Sequence, residues 1–295
     1  MNRTPELARR LFDRFEPIHA VTYFAPESRD TMDALGFRGF WSGYFAGRAA
    51  PLDPAPAPVV TALFYNFSAE RVAKSLAAGR AAATAAEALA ARAAGAVAAL
   101  RTYGLAEHQN LDTAAELTGK AARTAPVDGR ALFAANAALP WPESPLEALW
   151  HATTLLREHR GDGHIAALVA AGIGGRESNV LHCAAGTVPV DFIMRTRDYD
   201  DAEWRACTER LHDRGLLDDH GSLTDAGREL KSDVEAATDR AALTALDALD
   251  DDEIEALFGA LTPLTRLVVA AGAVPAVTPM GLRRNELDDD SAHLR

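Results

Sequence analysis

The chain has 295 residues, 48% of them hydrophobic and 24% charged, which suits a globular protein with a substantial buried core. This balance excludes a disordered chain, a collagen-like fibre and a disulfide-dense miniprotein. Thirty Lys and Arg stand against 42 Asp and Glu, giving a formal net charge of −12, so sequence-independent binding to a nucleic acid would need a local basic patch.

Every long uncharged stretch is broken by Pro, Gly or a polar residue, so no membrane span is expected. The opening MNRTPELARRLFDRF carries acids and lacks a continuous apolar run, unlike a secretory signal. Cys183 and Cys207 are far apart and show neither pairing nor ligand spacing, which fits a reducing cytoplasm.

Helical patterns then follow one another along the chain. The first covers 5–24, with Thr4 as its cap, Pro5 at the first helical position and Pro17 expected to kink or split it. Further helices are predicted at 28–35, 38–47, 56–65 and 69–77. A long Ala-dominated helix is expected over 77–104, with others at 111–124 and 128–137. LPWPESP at 139–145 is a Pro-punctuated connection and marks the expected boundary between a domain at 1–140 and one at 141–295. Beyond it, helices are expected at 145–172, capped by Ser144, at 175–184 and at 200–217. DDHGS at 218–222 reads as a tight turn, with Leu223-Thr224 starting a return strand and Thr224 capping the next helix. A helix ending in RGLL, a short hairpin and LTDAGREL form a winged-helix pattern, placed within about 145–240. LDALDDDEIEAL at 246–257 reads as a solvated helix start, where the dipole favours acids. The predicted fold is an all-α helical bundle with a C-terminal winged-helix module.

Of 20 aromatic residues, 12 fall in the first 67 positions. Phe37, Trp41, Tyr44 and Phe45 share a helical face interleaved with Gly36, Gly39, Gly43 and Gly47. Such a face either packs a core or walls a slot for a flat apolar ligand, with Arg38 or Arg48 at its rim to hold a carboxylate.

The polar constellation lies on the helix at 145–172. On a wheel of about 100° per residue, Glu158 and Asp162 fall within about 20° of His151, on a stripe shared with Leu155, Ile165 and Val169. His159 stands to one side of that stripe, whereas Arg157, Arg160 and His164 point elsewhere. Buried carboxylates need partners. One reading makes His151, Glu158, His159 and Asp162 a divalent-metal set, with His151 and Glu158 as a catalytic acid–base pair or His151 as an axial ligand to haem. The other makes them internal salt bridges and a satisfied core histidine. Glu16, His19 and Tyr23 form a second face of acid, imidazole and phenol, either a ligand site or a hydrogen-bond network. Nucleotide-binding loops, the nucleophile elbow, HExxH and CxxC are all absent.

FEPIHAVTYFAPE (15–27), GYFAGRAAPL (43–52), AANAALPWPESPLEALWHATTLLREHRGDGHIAALVAAG (134–172) and LHDRGLLDDHGSLTDAGREL (211–230) resemble an actinobacterial family with a C-terminal winged helix-turn-helix, similar to the MarR type. The resemblance implies an all-α protein with such a module and transfers no catalytic residue. In a regulator of that type the helix before the wing reads the major groove, and here it offers Arg205, Arg210 and Arg214. Asp200, Asp201, Glu203, Glu209 and Asp213 oppose them and the wing carries two acids, so nucleic acid is the weaker partner on charge.

Two functions follow. The first is a cytoplasmic small-molecule-binding protein, possible as an enzyme, whose pocket lies between the aromatic helices and the His151–His164 helix. Its expected ligand residues are His19, Tyr23, Trp41, Tyr44, Arg48 and Tyr65. The second is a ligand-responsive, homodimeric winged-helix regulator that uses the same pocket as a sensor.

Overall fold

The computed structural model describes residues 3–275, 278, 280–283 and 287–294. Among them the architecture is all helical. The chain runs through α1 (Pro5–Phe24), α2 (Pro26–Ala34), α3 (Phe40–Ala49), α4 (Ala57–Phe64), α5 (Ala69–Ala82), α6 (Ala85–Thr102) and α7 (Leu111–Thr124). It continues with α8 (Ala131–Ala137), α9 (Pro145–Ala170), α10 (Gly175–Ala184), α11 (Val190–Arg197), α12 (Asp201–Asp213), α13 (Asp225–Leu243) and α14 (Asp251–Ala270).

Several boundaries follow from local chemistry. α1 runs unbroken through Pro17, which is buried with the apolar residues around it. The Ala-rich stretch is two helices, because Thr84 accepts from the Glu87 backbone and Glu87 answers to the Thr84 backbone, a capping box that restarts the chain. Gly39, at φ +76°, starts α3 one residue later and leaves Phe37 outside it, so Phe37 packs with Ala46, Ala50 and Ala88 instead of with Trp41 and Phe45. α11 falls where no helix is expected. Asp250 and Glu253 cap α14 in the acid-rich segment.

The expected hairpin is a single antiparallel bridge between Leu217 and Leu223, and no strand forms among the described residues. The Asp218 carboxylate takes the His220 and Ser222 amides at 2.9 Å, folding DDHGS into a compact loop. Thr224 then caps α13 by accepting from the Gly227 amide at 3.0 Å. Gly227 is required there, since a Cβ would lie 2.1 Å from the Leu216 carbonyl.

Three substantial cores organise the helices. The main one joins α1, α6, α7, α9 and α14 through Ile18, Leu100, Leu149, Leu155, Phe258 and Leu261. It draws on residues from both sides of position 140, so apolar packing crosses the expected boundary. A second core, around Phe45, Val60, Phe64, Phe67 and Leu76, unites α3, α4 and α5. The third gathers the end of α9 with α10–α13 through Ile173, Val180, Ile193, Cys207, Leu211 and Leu217.

Candidate functional site

The polar face of α1 meets α9 in the interior of the molecule. His19 is fully buried, with Nδ1 2.9 Å from Thr154 Oγ1 and Nε2 3.1 Å from the Tyr23 hydroxyl. Thr154 already donates to the Trp150 carbonyl at 3.0 Å, so it accepts from His19. The proton therefore sits on Nδ1, and Tyr23 donates to Nε2. Burial, reinforced by Arg157 and Arg92, holds the imidazole well below its ordinary pKa and keeps it neutral.

One turn away, Glu158 is gripped by Arg48, whose Nε and Nη2 both donate at 3.0 Å, and by Arg157 Nη1 at 2.9 Å. Burial opposes its charge, but Arg157 and Arg48 outweigh burial and keep the carboxyl well below the usual range. Glu16 is the counterpoint. It is 1% exposed, neither oxygen has a hydrogen-bond partner, and Arg157 Nε stands 3.7 Å away. Burial pushes its carboxyl up to about 7 despite the pull of Arg157.

Of the expected ligand residues, His19, Tyr23, Tyr44 and Arg48 come together. The Tyr23 and Tyr44 rings lie 5.2 Å apart, and Arg48 Nη1 donates to the Tyr44 hydroxyl at 3.1 Å. Trp41 belongs to the aromatic core, 5.5 Å from Phe67. That core closes on itself: Phe45 stacks on Phe64 at 5.4 Å and meets Phe67 edge-on at 5.0 Å. The face expected to wall a flat ligand is thus filled by its own rings. A groove of about 320 Å³ opens elsewhere, between Leu7 and Arg10 of α1 and Ala292–Leu294. Tyr65 turns away and donates to the Ile173 carbonyl at 2.5 Å.

The expected metal set does not assemble. Among the described residues, no three His, Cys, Asp or Glu side chains converge as a cation site. Glu158 is spent on two arginines. Asp162 accepts from the Phe133 amide at 2.9 Å, capping the start of α8, and burial raises its carboxyl to about 6. His159 stacks edge-on to Phe133 at 5.0 Å, and His151 to Trp141 at 5.3 Å. Burial lowers these two imidazoles to about 3 and about 4 respectively. The proposed catalytic pair fails on distance as well. His151 and Glu158 are seven residues apart on one helix, a rise of about 10 Å, too far to share a proton.

Sequence reasoning missed three participants. Arg157 was expected to point away, but its long side chain curls back to Glu16 and Glu158. Arg92 is a lone charge in an otherwise small-residue stretch of α6, and that isolation was its only signal. The third is the segment 65–71, which grips the α10–α13 unit. Asn66 O accepts from Asn179 at 2.9 Å, Arg71 pairs with Asp198, and the Arg197 guanidinium lies 4.3 Å from the Phe67 ring centre. Tyr65 adopts φ 40°, ψ −60°, and a Cβ on Gly175 would lie 1.9 Å from its carbonyl, so only glycine admits this contact. Both cysteines are free and buried, and burial raises their thiol pKa values, that of Cys183 to about 11.

The expected DNA-facing arginines have separate fates. Arg210 pairs with Glu177 at 2.6 Å, and Arg214 donates to the Gly172 and Ala171 carbonyls at the end of α9. Arg205 is exposed.

The short helices α10–α12 share one apolar core with the end of α9 and with α13. A family model described as a helix-turn-helix family matches residues 8–275, so the chain belongs to that family. No curated protein and no solved structure matches the chain. No single described helix is long and apolar enough to cross a membrane.

Proposed function

We propose that the protein is a ligand-responsive helix-turn-helix regulator whose reading unit is latched to its helical body. Family membership supports the class, and the latch at residues 65–71 is the observation that carries the regulatory reading. In this reading α11 and α12 are the paired helices, the Leu217–Leu223 turn is a short wing of the MarR type, and two copies bind as a homodimer. A reading helix uses its N-terminal residues against base edges. Here that end is tied down: Asp198 is held by Arg71, Tyr199 is buried, and Glu203 pairs with Arg176 at 2.6 Å. The exposed acids Asp200, Asp201, Glu209 and Asp213 leave Arg205 to meet a phosphate, so the latched form is the one that leaves DNA free.

The test is retardation of fragments of the encoding genome by the full chain and by Arg71→Ala, at low salt. Arg71→Ala is expected to retain a subset of fragments that the parent does not, and adding Arg205→Ala is expected to abolish that retention. If neither protein retains any fragment, the regulator reading falls. The acidity of α12 favours a second reading, in which the helix-turn-helix unit only packs and the chain is a small-molecule-binding protein. On that reading, the seam of His19, Tyr23, Tyr44 and Arg48 is the place for the ligand.

A further inference from the structure

Among the described residues, no acid pairs with the buried guanidinium of Arg92. Arg92 of α6 is 4% exposed; its Nη1 reaches the Gly47 carbonyl at 3.5 Å, and its guanidinium lies 5.4 Å from the Trp150 ring centre. Its Nε and Nη2 meet no acceptor. The neighbouring guanidiniums differ, because Arg48 and Arg157 share Glu158. Two further groups beside Arg92 on α9 are also open. Trp150 Nε1 and His151 Nε2, in side chains 4% and 7% exposed, have no partner. Arg and Trp can only donate, and His151 donates from Nε2 in one tautomer.

Burying a guanidinium whose donors lack acceptors is strongly unfavourable. A set of unmatched donors around it calls for an acceptor from outside the chain. The free Nε–Nη2 edge is a planar fork, which matches the two oxygens of a carboxylate better than a spherical ion.

We propose that Arg92 anchors a binding site for a small carboxylate between α6 and α9, with Trp150 and His151 as flanking donors. The proposal rests on the ligand-responsive half of the function above and is independent of its DNA half. The test uses the full chain, with acetate and benzoate as probes and chloride at equal ionic strength as the control. Calorimetric titration and thermal unfolding are the readouts. The wild type is expected to bind a carboxylate saturably and to melt at a higher temperature with it. Arg92→Met is expected to melt later than the wild type without ligand, because an unpaired buried charge is gone, and to ignore both carboxylates. Arg92→Lys keeps the charge without the fork, and its affinity is expected to fall at least tenfold. The proposal is overturned if neither carboxylate binds, if chloride stabilises equally, or if Arg92→Met melts earlier than the wild type. No readout involves DNA, so failure here and failure of the regulator reading are separable.

Discussion

The aromatic core of α3–α5 and the polar seam between α1 and α9 lie side by side and are stabilised in opposite ways. Phe45, Phe64 and Phe67 need only volume and edge-to-face geometry, and a ring meets that demand from whichever helix supplies it. In the seam each group depends on one particular neighbour. Glu158 is stable because two guanidiniums face it, and Glu16, a few residues away in space, is protonated near neutrality because none bonds to it. Apolar packing averages over its neighbours, whereas buried charge does not.

The sharpest break in this comparison is Arg48→Met. It leaves Glu158 short of its main partner and is expected to cost about 3–5 kcal/mol in urea unfolding. Phe45→Ala, at a fully buried ring, is expected to cost a similar 3–5 kcal/mol. The two regions then part company. Adding Glu158→Met and Arg157→Met to Arg48→Met is expected to recover most of the loss, since a buried ion cluster can be replaced whole by apolar residues. Recovery no better than that of unrelated added substitutions would mean that the cluster itself stabilises the seam.

Next in size is the pH response of Glu16. Its carboxyl is raised to about 7 in the folded protein from an ordinary 4.5, so between these values the folded state holds the extra proton. Its contribution to stability is therefore full below about pH 4.5 and is lost as pH climbs toward 7. Buried His151 slopes the other way between about 4 and 6.5, so the useful quantity is the difference from Glu16→Gln. That variant is expected to gain on the wild type by about 1–3 kcal/mol between pH 5 and pH 8, read from urea midpoints. A constant difference would show that Glu16 is ionised throughout.

Gly175→Ala tests the latch, because its Cβ would meet the Tyr65 carbonyl at 1.9 Å. A loss of about 1–3 kcal/mol is expected, with faster amide exchange in α10–α12 than in α9. The smallest effect belongs to Arg205→Ala, exposed on α12. Its stability is expected to stay within about 0.5 kcal/mol of the wild type, leaving any change in DNA retention attributable to binding.

Much of the fold was legible from local signals. Pro5 and the caps at Ser144, Thr224 and Asp250 are short-range chemistry, and the elements they start lie within a few residues of expectation. α11 escaped because VDFIMRTR is too short to show a period, and the Thr84 cap escaped because alanine hid it. Of the seam, the trio on α1 and the stripe on α9 were visible as faces. Their partners were not: Arg48 reaches Glu158 from α3 and Arg157 from the adjacent position on α9, and a helical wheel shows where a Cβ points and not where a long guanidinium ends.

An all-helical chain, the start of most helices and the presence of buried polar faces could be read from local residues alone, because propensity, capping and periodicity act over a few positions. What those faces do depends on how the helices pack. Glu158 became a paired carboxylate, Asp162 a cap for α8, and Arg92 a cation whose Nε and Nη2 meet no acceptor, through contacts between helices far apart in the chain. The energy of a buried charge is set by what lies within a few ångströms of it, whichever part of the chain supplies it.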